Sequence, residues 1–256
     1  MIIGNINSVN LKNAFEGCDY VLHQAALPSV PRSINDPIKS NDANITGTLN
    51  VLVAARDSNV SKVVCASSSS VYGDTVTLPK VETMPINPKS PYAVTKATGE
   101  LYCQIFTDIY NLPTVSLRYF NVFGPRQDPN SQYSAVIPKF ITAINENKSP
   151  IVYGDGTQSR DFTFVKNIVN ANILAAESNE TGIFNVACGR RIILNDLVQI
   201  INEIIGKEIK PEYVDPRSGD IKHSLADISK IESIGYNAND NFKDELIETM
   251  EFFEKK

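Results

Sequence analysis

Short apolar runs alternate with helical spacing through the first 120 residues. Tyr20-Val21-Leu22-His23, Lys62-Val63-Val64-Cys65-Ala66 and Thr114-Val115-Ser116-Leu117-Arg118 are strand-length runs of the kind that is buried in a sheet. Between them, Ile45 to Asp57 puts Leu49, Leu52, Val53 and Arg56 on neighbouring faces of a helix, and Tyr92 to Tyr110 carries a second helical pattern. Strand and helix in alternation predict crossover units and a parallel sheet, with ligand sites in the loops at the strand C-termini. After Phe123 the texture changes. Gly124-Pro125, Asp128-Pro129, Pro138, Gly154-Asp155-Gly156 and Pro211 divide the chain into shorter pieces. Two helices are still predicted there, Ala135 to Asn147 and Asn195 to Ile205, the second with Asn195 as its N-cap. Gly154-Asp155-Gly156 reads as a turn rather than a phosphate cradle, because no helix follows at the right place.

With 256 residues the chain is long enough for one large domain or two closely joined ones. Hydrophobic residues make up 42% and charged residues 21%, the range of ordinary globular proteins, and the net charge of −5 gives no nucleic-acid footprint. Cys18, Cys65, Cys103 and Cys188 are scattered, without CxxC spacing or a Cys/His cluster, so neither a metal site nor a disulfide framework is expected. A reducing cytoplasm fits that usage. No basic n-region follows Met1, and no apolar run approaches the roughly 20 residues of a membrane span.

Tyr92 and Lys96 stand four apart on a predicted helix, so their side chains leave one face. A phenol with an ordinary pKa of about 10 is a weak base at neutral pH. An ammonium beside it favours the phenolate, and a shift of roughly three units corresponds to about 4 kcal/mol. The pair is therefore expected to act as a base on an alcohol. A YxxxK match alone is weak. Upstream, however, a predicted strand ends in Ala66-Ser67-Ser68-Ser69-Ser70-Val71-Tyr72-Gly73-Asp74, which places serines at the rim of the sheet, where one can share a substrate hydroxyl with Tyr92.

Other segments join these in one order: His23-Gln24-Ala25-Ala26, Asn44-Ile45-Thr46-Gly47-Thr48, Ser67 to Asp74, Ser90 to Lys96, Arg118-Tyr119-Phe120-Asn121 and Arg160-Asp161-Phe162. The set resembles the extended short-chain dehydrogenase/reductases, in their nucleotide-sugar 4-epimerase branch, and the likeness runs from near residue 2 to the C-terminus. It implies an α/β fold, a truncated Rossmann-type doubly wound parallel sheet with a smaller mixed α/β substrate lobe. Residues 1–122, with a return segment at about 162–186, would form the NAD-binding part, and 123–256 mainly the UDP-sugar lobe. The family's first two strands and two helices, with the glycine-rich turn, have no counterpart: no GxGxxG or GxxGxxG occurs.

The resemblance assigns catalysis to Ser68, Tyr92 and Lys96. It assigns cofactor contacts to Ala25, Ala26, Leu27, Asn44, Ser67, Lys96 and Tyr119, and substrate contacts to Ser69, Asn121, Arg160, Arg217, Asp220 and Ser224. Asn5 stands where the family usually has an acidic residue near the adenine. Read without the family, Asn44 equally suits a helix cap, and Arg160-Asp161 a local ion pair.

The implied reaction is transient oxidation of a sugar at C4 by bound NAD, with a homodimer as the implied assembly. Ser69 and Ser70 stand where a dehydratase places an Asp-Glu pair, and Ser224 in place of a bulky aromatic leaves room for a 2-acetamido group. UDP-GlcNAc and UDP-GalNAc, or their uronic-acid forms, are thus the expected substrates. Three alternatives stand beside that reading. One is an inert fragment or UDP-sugar-binding module that cannot hold NAD. Another is a different NAD-dependent nucleotide-sugar enzyme, such as a reductase, dehydratase or decarboxylase. The third is an internal start at Met1 in a longer protein.

Overall fold

The computed structural model describes residues 2–7, 10–127, 136–216, 222–239 and 241–254. In chain order they form α1 (Leu11–Phe15), β1 (Tyr20–His23), α2 (Val30–Asn35), α3 (Pro37–Asn41), a π-helical turn over Asp42–Thr46, α4 (Gly47–Asp57), β2 (Lys62–Ser68) and a 3₁₀ turn over Ser69–Tyr72. There follow α5 (Pro91–Tyr110), β3 (Thr114–Tyr119), β4 (Val122–Phe123), α6 (Val136–Asn145), β5 (Ile151–Tyr153), β6 (Ser159–Arg160), β7 (Thr163–Phe164) and α7 (Val165–Glu177). The chain ends with β8 (Gly182–Val186), β9 (Ile192–Ile193), α8 (Leu194–Ile205), β10 (Glu212–Val214), α9 (Ser229–Glu232) and α10 (Phe242–Glu254).

The main sheet has the order β1-β2-β3-β8 and is parallel throughout. Parallel strands need crossovers, and here α4, α5 and α7 supply them on both faces. Alternate residues of the inner strands therefore face different helices. Val63 and Cys65 pack with Leu52 and Ala55 of α4 and with Cys103 and Phe106 of α5. Val64, Val115 and Leu117 pack with Ile168, Ala171 and Ala175 of α7. This two-sided burial explains why β2 and β3 read as apolar runs. β1 lies at the sheet edge and alternates, with Val21 and His23 buried but Tyr20 and Leu22 each 47% exposed.

The second core gathers Ile137, Phe140, Ile141 and Ile144 of α6, Leu197, Val198 and Ile201 of α8, and Phe242, Leu246 and Met250 of α10. Short pairs flank it: β5 with β10 and β4 with β7, both parallel, and β6 antiparallel to β9. No helix among the described residues is long and apolar enough to cross a membrane.

Two helix starts show how local chemistry sets the frame. Ser90 caps α5 by accepting from the Ala93 amide at 3.1 Å, and Pro91 occupies the first helical position. The expected cap at Asn195 does not form. α8 begins at Leu194 behind Ile193, which makes no side-chain cap. Asn195 instead donates to the Asp155 carbonyl at 3.3 Å and accepts from the Tyr213 hydroxyl at 3.0 Å, tying the helix start to the Gly154-Asp155-Gly156 turn. Gly156 has φ +75, and a Cβ there would meet Asn195 Oδ1 at 1.9 Å, so the turn requires glycine.

Candidate active site

The strand ends of β1, β2 and β3 lie at one rim of the sheet, and the N-terminal turn of α5 faces them. Ser68 is the last residue of β2, in extended backbone, and its Oγ accepts from the Ser70 amide at 3.2 Å. The same side chain lies beside the Tyr92 phenol, close enough to favour its ionised form. Tyr92 is held in turn by its backbone amide, which donates to the buried Ser33 Oγ at 3.0 Å. Lys96, one turn further on α5, donates from Nζ to the Ala66 carbonyl at 2.7 Å and lies 5.9 Å from the Tyr92 ring centre. Ser68, Tyr92 and Lys96 are thus brought together.

The electrostatics differ from the sequence expectation. Burial pushes the Tyr92 phenol above its usual pKa, and the neighbouring Ser68 hydroxyl offsets this only in part. Lys96 itself is pulled down to about 8, chiefly by burial, while Cys65, Cys103 and Glu100 hold it up. Sequence spacing shows an amine near a phenol. It does not show that both are half-buried or that the amine points at a strand carbonyl. In the chain alone, Tyr92 is a neutral acid.

His23 lies beside this group. Thr48 Oγ1 gives its proton to the Asn44 carbonyl at 2.6 Å, so it accepts from His23 Nε2 at 2.9 Å. Burial, and then the charge of Lys96, push the imidazole down to about 4, which keeps it neutral.

Asn44 sits in the π-helical turn, 3% exposed, and is not a helix cap. Its Oδ1 accepts from the Leu27 amide at 2.7 Å, and its Nδ2 donates to the Leu27 carbonyl at 3.2 Å and to Thr95 Oγ1 at 3.0 Å. The loop of Ala25, Ala26 and Leu27, which follows β1, is thereby tied to α5. Tyr119 at the end of β3 receives Asn172 Nδ2 at 2.8 Å and Gln24 Nε2 at 3.1 Å, and burial pushes its phenol up to about 12.

On the substrate side, Asn121 Nδ2 donates to the Asp161 carbonyl at 3.3 Å and to Ser224 Oγ at 3.4 Å, which brings two expected contacts into touch. Arg160 Nη1 donates to the carbonyls of Ser159 and Lys222 at 3.0 and 3.1 Å. Asp161 accepts from the Cys188 and Ala226 amides rather than forming the local ion pair with Arg160. Ser69 is half-buried at the start of the 3₁₀ turn. Arg217 and Asp220 lie outside the described residues.

Ser67 stands one residue earlier than Ser68 in β2. It is 5% exposed and its hydroxyl donates to Glu100 Oε1, so its side chain faces α5 and not the cleft. Alternation along β2 decides this, since neighbouring residues point to opposite faces. Sequence reasoning passed over Glu100, although it stands four residues beyond Lys96 and hence on the same helix face. It also passed over Asn172, for which no sequence signal exists.

The cleft fits the nicotinamide-ribose end of a dinucleotide on the chemistry of its donors. Lys96 has two N–H groups left after bonding Ala66, Tyr92 carries a phenol, and Ala25, Ala26 and Leu27 bring no charge to the loop above. Among the described residues no group of three or more His, Cys, Asp or Glu side chains could hold a metal ion.

Comparison with known proteins places these features in context. The family model described as "NAD dependent epimerase/dehydratase family" matches residues 3–187. A UDP-N-acetylglucosamine 4-epimerase from Methanobrevibacter ruminantium, solved with UDP-N-acetylmuramic acid, is 47% identical with a TM-score of 0.98, covering 99% of this chain and 82% of its own. A Thermus thermophilus UDP-glucose 4-epimerase solved with NAD is 32% identical with a TM-score of 0.89, over 98% of this chain and 83% of its own. A putative UDP-glucose 4-epimerase of Methanocaldococcus jannaschii is 37% identical over 259 residues, 94% of this chain and 84% of that protein.

Proposed function

Since the chain belongs to the NAD dependent epimerase/dehydratase family, we propose that this enzyme interconverts UDP-GlcNAc and UDP-GalNAc, or their uronic-acid forms, at the sugar C4. The observation that carries this reading is the placement of Tyr92 and Lys96, one helical turn apart on α5, against the C-terminal end of β2, where Lys96 bonds the Ala66 carbonyl and Ser68 lies beside the Tyr92 phenol. A phenol and a hydroxyl set side by side can share the hydrogen bonds of one sugar alcohol.

Bound NAD+ would supply the hydride acceptor and donor for C4. The chain's own residues manage the proton and the geometry. Tyr92 must be a phenolate to take the 4-hydroxyl proton, and burial opposes that state. Lys96, half-buried and 5.9 Å from the ring centre, is the cation of this chain that favours the phenolate. Ser68 orients the hydroxyl during transfer. When the sugar has turned, Tyr92 returns the proton to the oxygen of the opposite epimer. Ser69 and Ser70 carry no carboxylate, which supports epimerisation over elimination. Ser224, against Asn121, supports a substrate with a 2-acetamido group, as in the relative that is 47% identical.

The test is interconversion of UDP-GlcNAc and UDP-GalNAc by this chain with added NAD+, set beside UDP-Glc and UDP-Gal. Faster turnover of the acetamido pair is expected. Turnover of UDP-Glc and UDP-Gal alone would overturn the substrate. Calorimetric titrations that show UDP-sugar binding but no NAD+ binding would instead support a binding module, and tight NAD+ binding would reject it.

The outer face of α5 supports a homodimer. Val94, Leu101, Ile105 and Ile109 form a stripe at helical spacing, between 44% and 64% exposed. Sedimentation of an Ile105→Glu variant should give monomer where the unaltered chain gives dimer. A monomer in both would remove the assembly. The free thiols of the described cysteines suit the reducing cytoplasm proposed as its location.

A further inference from the structure

Taking the 4-epimerase reading as its basis, we propose that Glu100, paired with Arg118, is a positioning residue for the reaction: it holds α5 in register with β2 and β3, and so sets Tyr92 and Lys96 against Ser68.

Tyr92, Lys96 and Glu100 recur every four residues along α5 and lie toward one side of the helix. Tyr92 reaches Ser68, Lys96 reaches the carbonyl of Ala66, and Glu100 reaches Ser67. Three successive helical turns thus grip three successive residues of β2, and Glu100 holds the middle one. It also holds β3. Arg118 Nε and Nη2 meet the two carboxylate oxygens of Glu100 at 2.9 and 2.7 Å, a two-pronged contact with fixed orientation. Ser67 and Arg118 are partners in the β2–β3 register, directly before Ser68 and Tyr119. One carboxylate therefore indexes α5, β2 and β3 just below their functional residues. Arg118 is braced in turn, with its guanidinium 4.6 Å from the Tyr72 ring centre, while the Tyr72 hydroxyl donates to Asn185 Oδ1 at 2.7 Å.

The side chains of Arg118 and Glu100 are only 2% and 4% exposed. A buried ion pair contributes little net stability compared with an apolar pair of similar shape, because desolvation offsets the attraction. Its value here lies in geometry and charge. Lys96 faces His23 on β1, Cys65 on β2, and Tyr92, Glu100 and Cys103 on α5. Glu100 is the carboxylate among these groups, and it favours the ammonium form of Lys96.

The test is Glu100→Gln, which keeps the shape and removes the charge. Two readouts are needed. The first is the pH dependence of amine labelling at Lys96, followed by peptide mass spectrometry, which needs neither substrate nor turnover. The second is the pH profile of kcat with UDP-GlcNAc and NAD+. Labelling of Lys96 should shift to lower pH. The alkaline limb of kcat should move with it, and kcat should fall about 10- to 100-fold with KM within about twofold. Glu100→Asp keeps the charge but draws it back, so it should restore the labelling profile and not the rate. It is also the variant to use should Glu100→Gln fail to fold. An unchanged labelling profile and an unchanged kcat limb in Glu100→Gln would overturn the proposal. So would a Glu100→Asp enzyme with the original kcat. Absence of turnover in the unaltered chain counts against the epimerase reading, while the labelling arm still decides the role of Glu100 toward Lys96.

Discussion

Replacing Tyr92 by phenylalanine lowers epimer interconversion about 10²- to 10⁴-fold, the range that a positioned acid or base contributes. The ring still fills its site, because only the hydroxyl is lost. Ser68 keeps a partner in the Ser70 amide, so no buried group is left without a hydrogen bond, and stability should change by no more than about 1 kcal/mol. UDP-sugar affinity, read by calorimetry, should stay close to that of the unaltered chain. The informative result is the combination of lost turnover with retained folding and binding. A variant with more than about a tenth of the original kcat would mean that another group moves the proton.

The second large effect is on stability. Arg118→Leu leaves the Glu100 carboxylate buried with Ser67 as its remaining hydrogen-bond donor. Losing one member of a buried pair typically costs about 3–5 kcal/mol. A shift of the urea midpoint corresponding to that range is expected. The double variant Glu100→Leu/Arg118→Leu should recover a large part of the loss, since apolar side chains of similar volume carry no desolvation penalty. If the double variant is as unstable as the sum of the two single ones, packing rather than the uncompensated charge sets the cost.

Much of the frame was legible along the chain. β2 and β3 are buried on both faces, so Val63-Val64-Cys65 and Val115-Ser116-Leu117 stand out as apolar runs. The start of α5 was legible because Ser90 and Pro91 act locally. Tertiary contacts decided the remainder. Asn195 has a capping side chain, but Asp155 and Tyr213 claim it. Spacing put Lys96 near Tyr92 and predicted a more acidic phenol. Burial reverses that direction, and burial is a property of the assembled cleft. Ser67 and Ser68 look alike in a run of four serines. Only the alternation of β2 sends one hydroxyl to Glu100 and the other to Tyr92. Glu100 and Arg118 lie eighteen residues apart, and only the crossover that sets β3 beside β2 joins them.

The amide of Asn44 has a consequence for how a ligand is received. By bonding both backbone groups of Leu27 and the hydroxyl of Thr95, it fastens the loop after β1 to the residue next to Lys96. Loop and helix then move as one body, and a dinucleotide arriving at either meets the other already in register. The entropy of bringing those two walls together is lost when the chain folds, not when the ligand binds, so more of each contact remains as affinity.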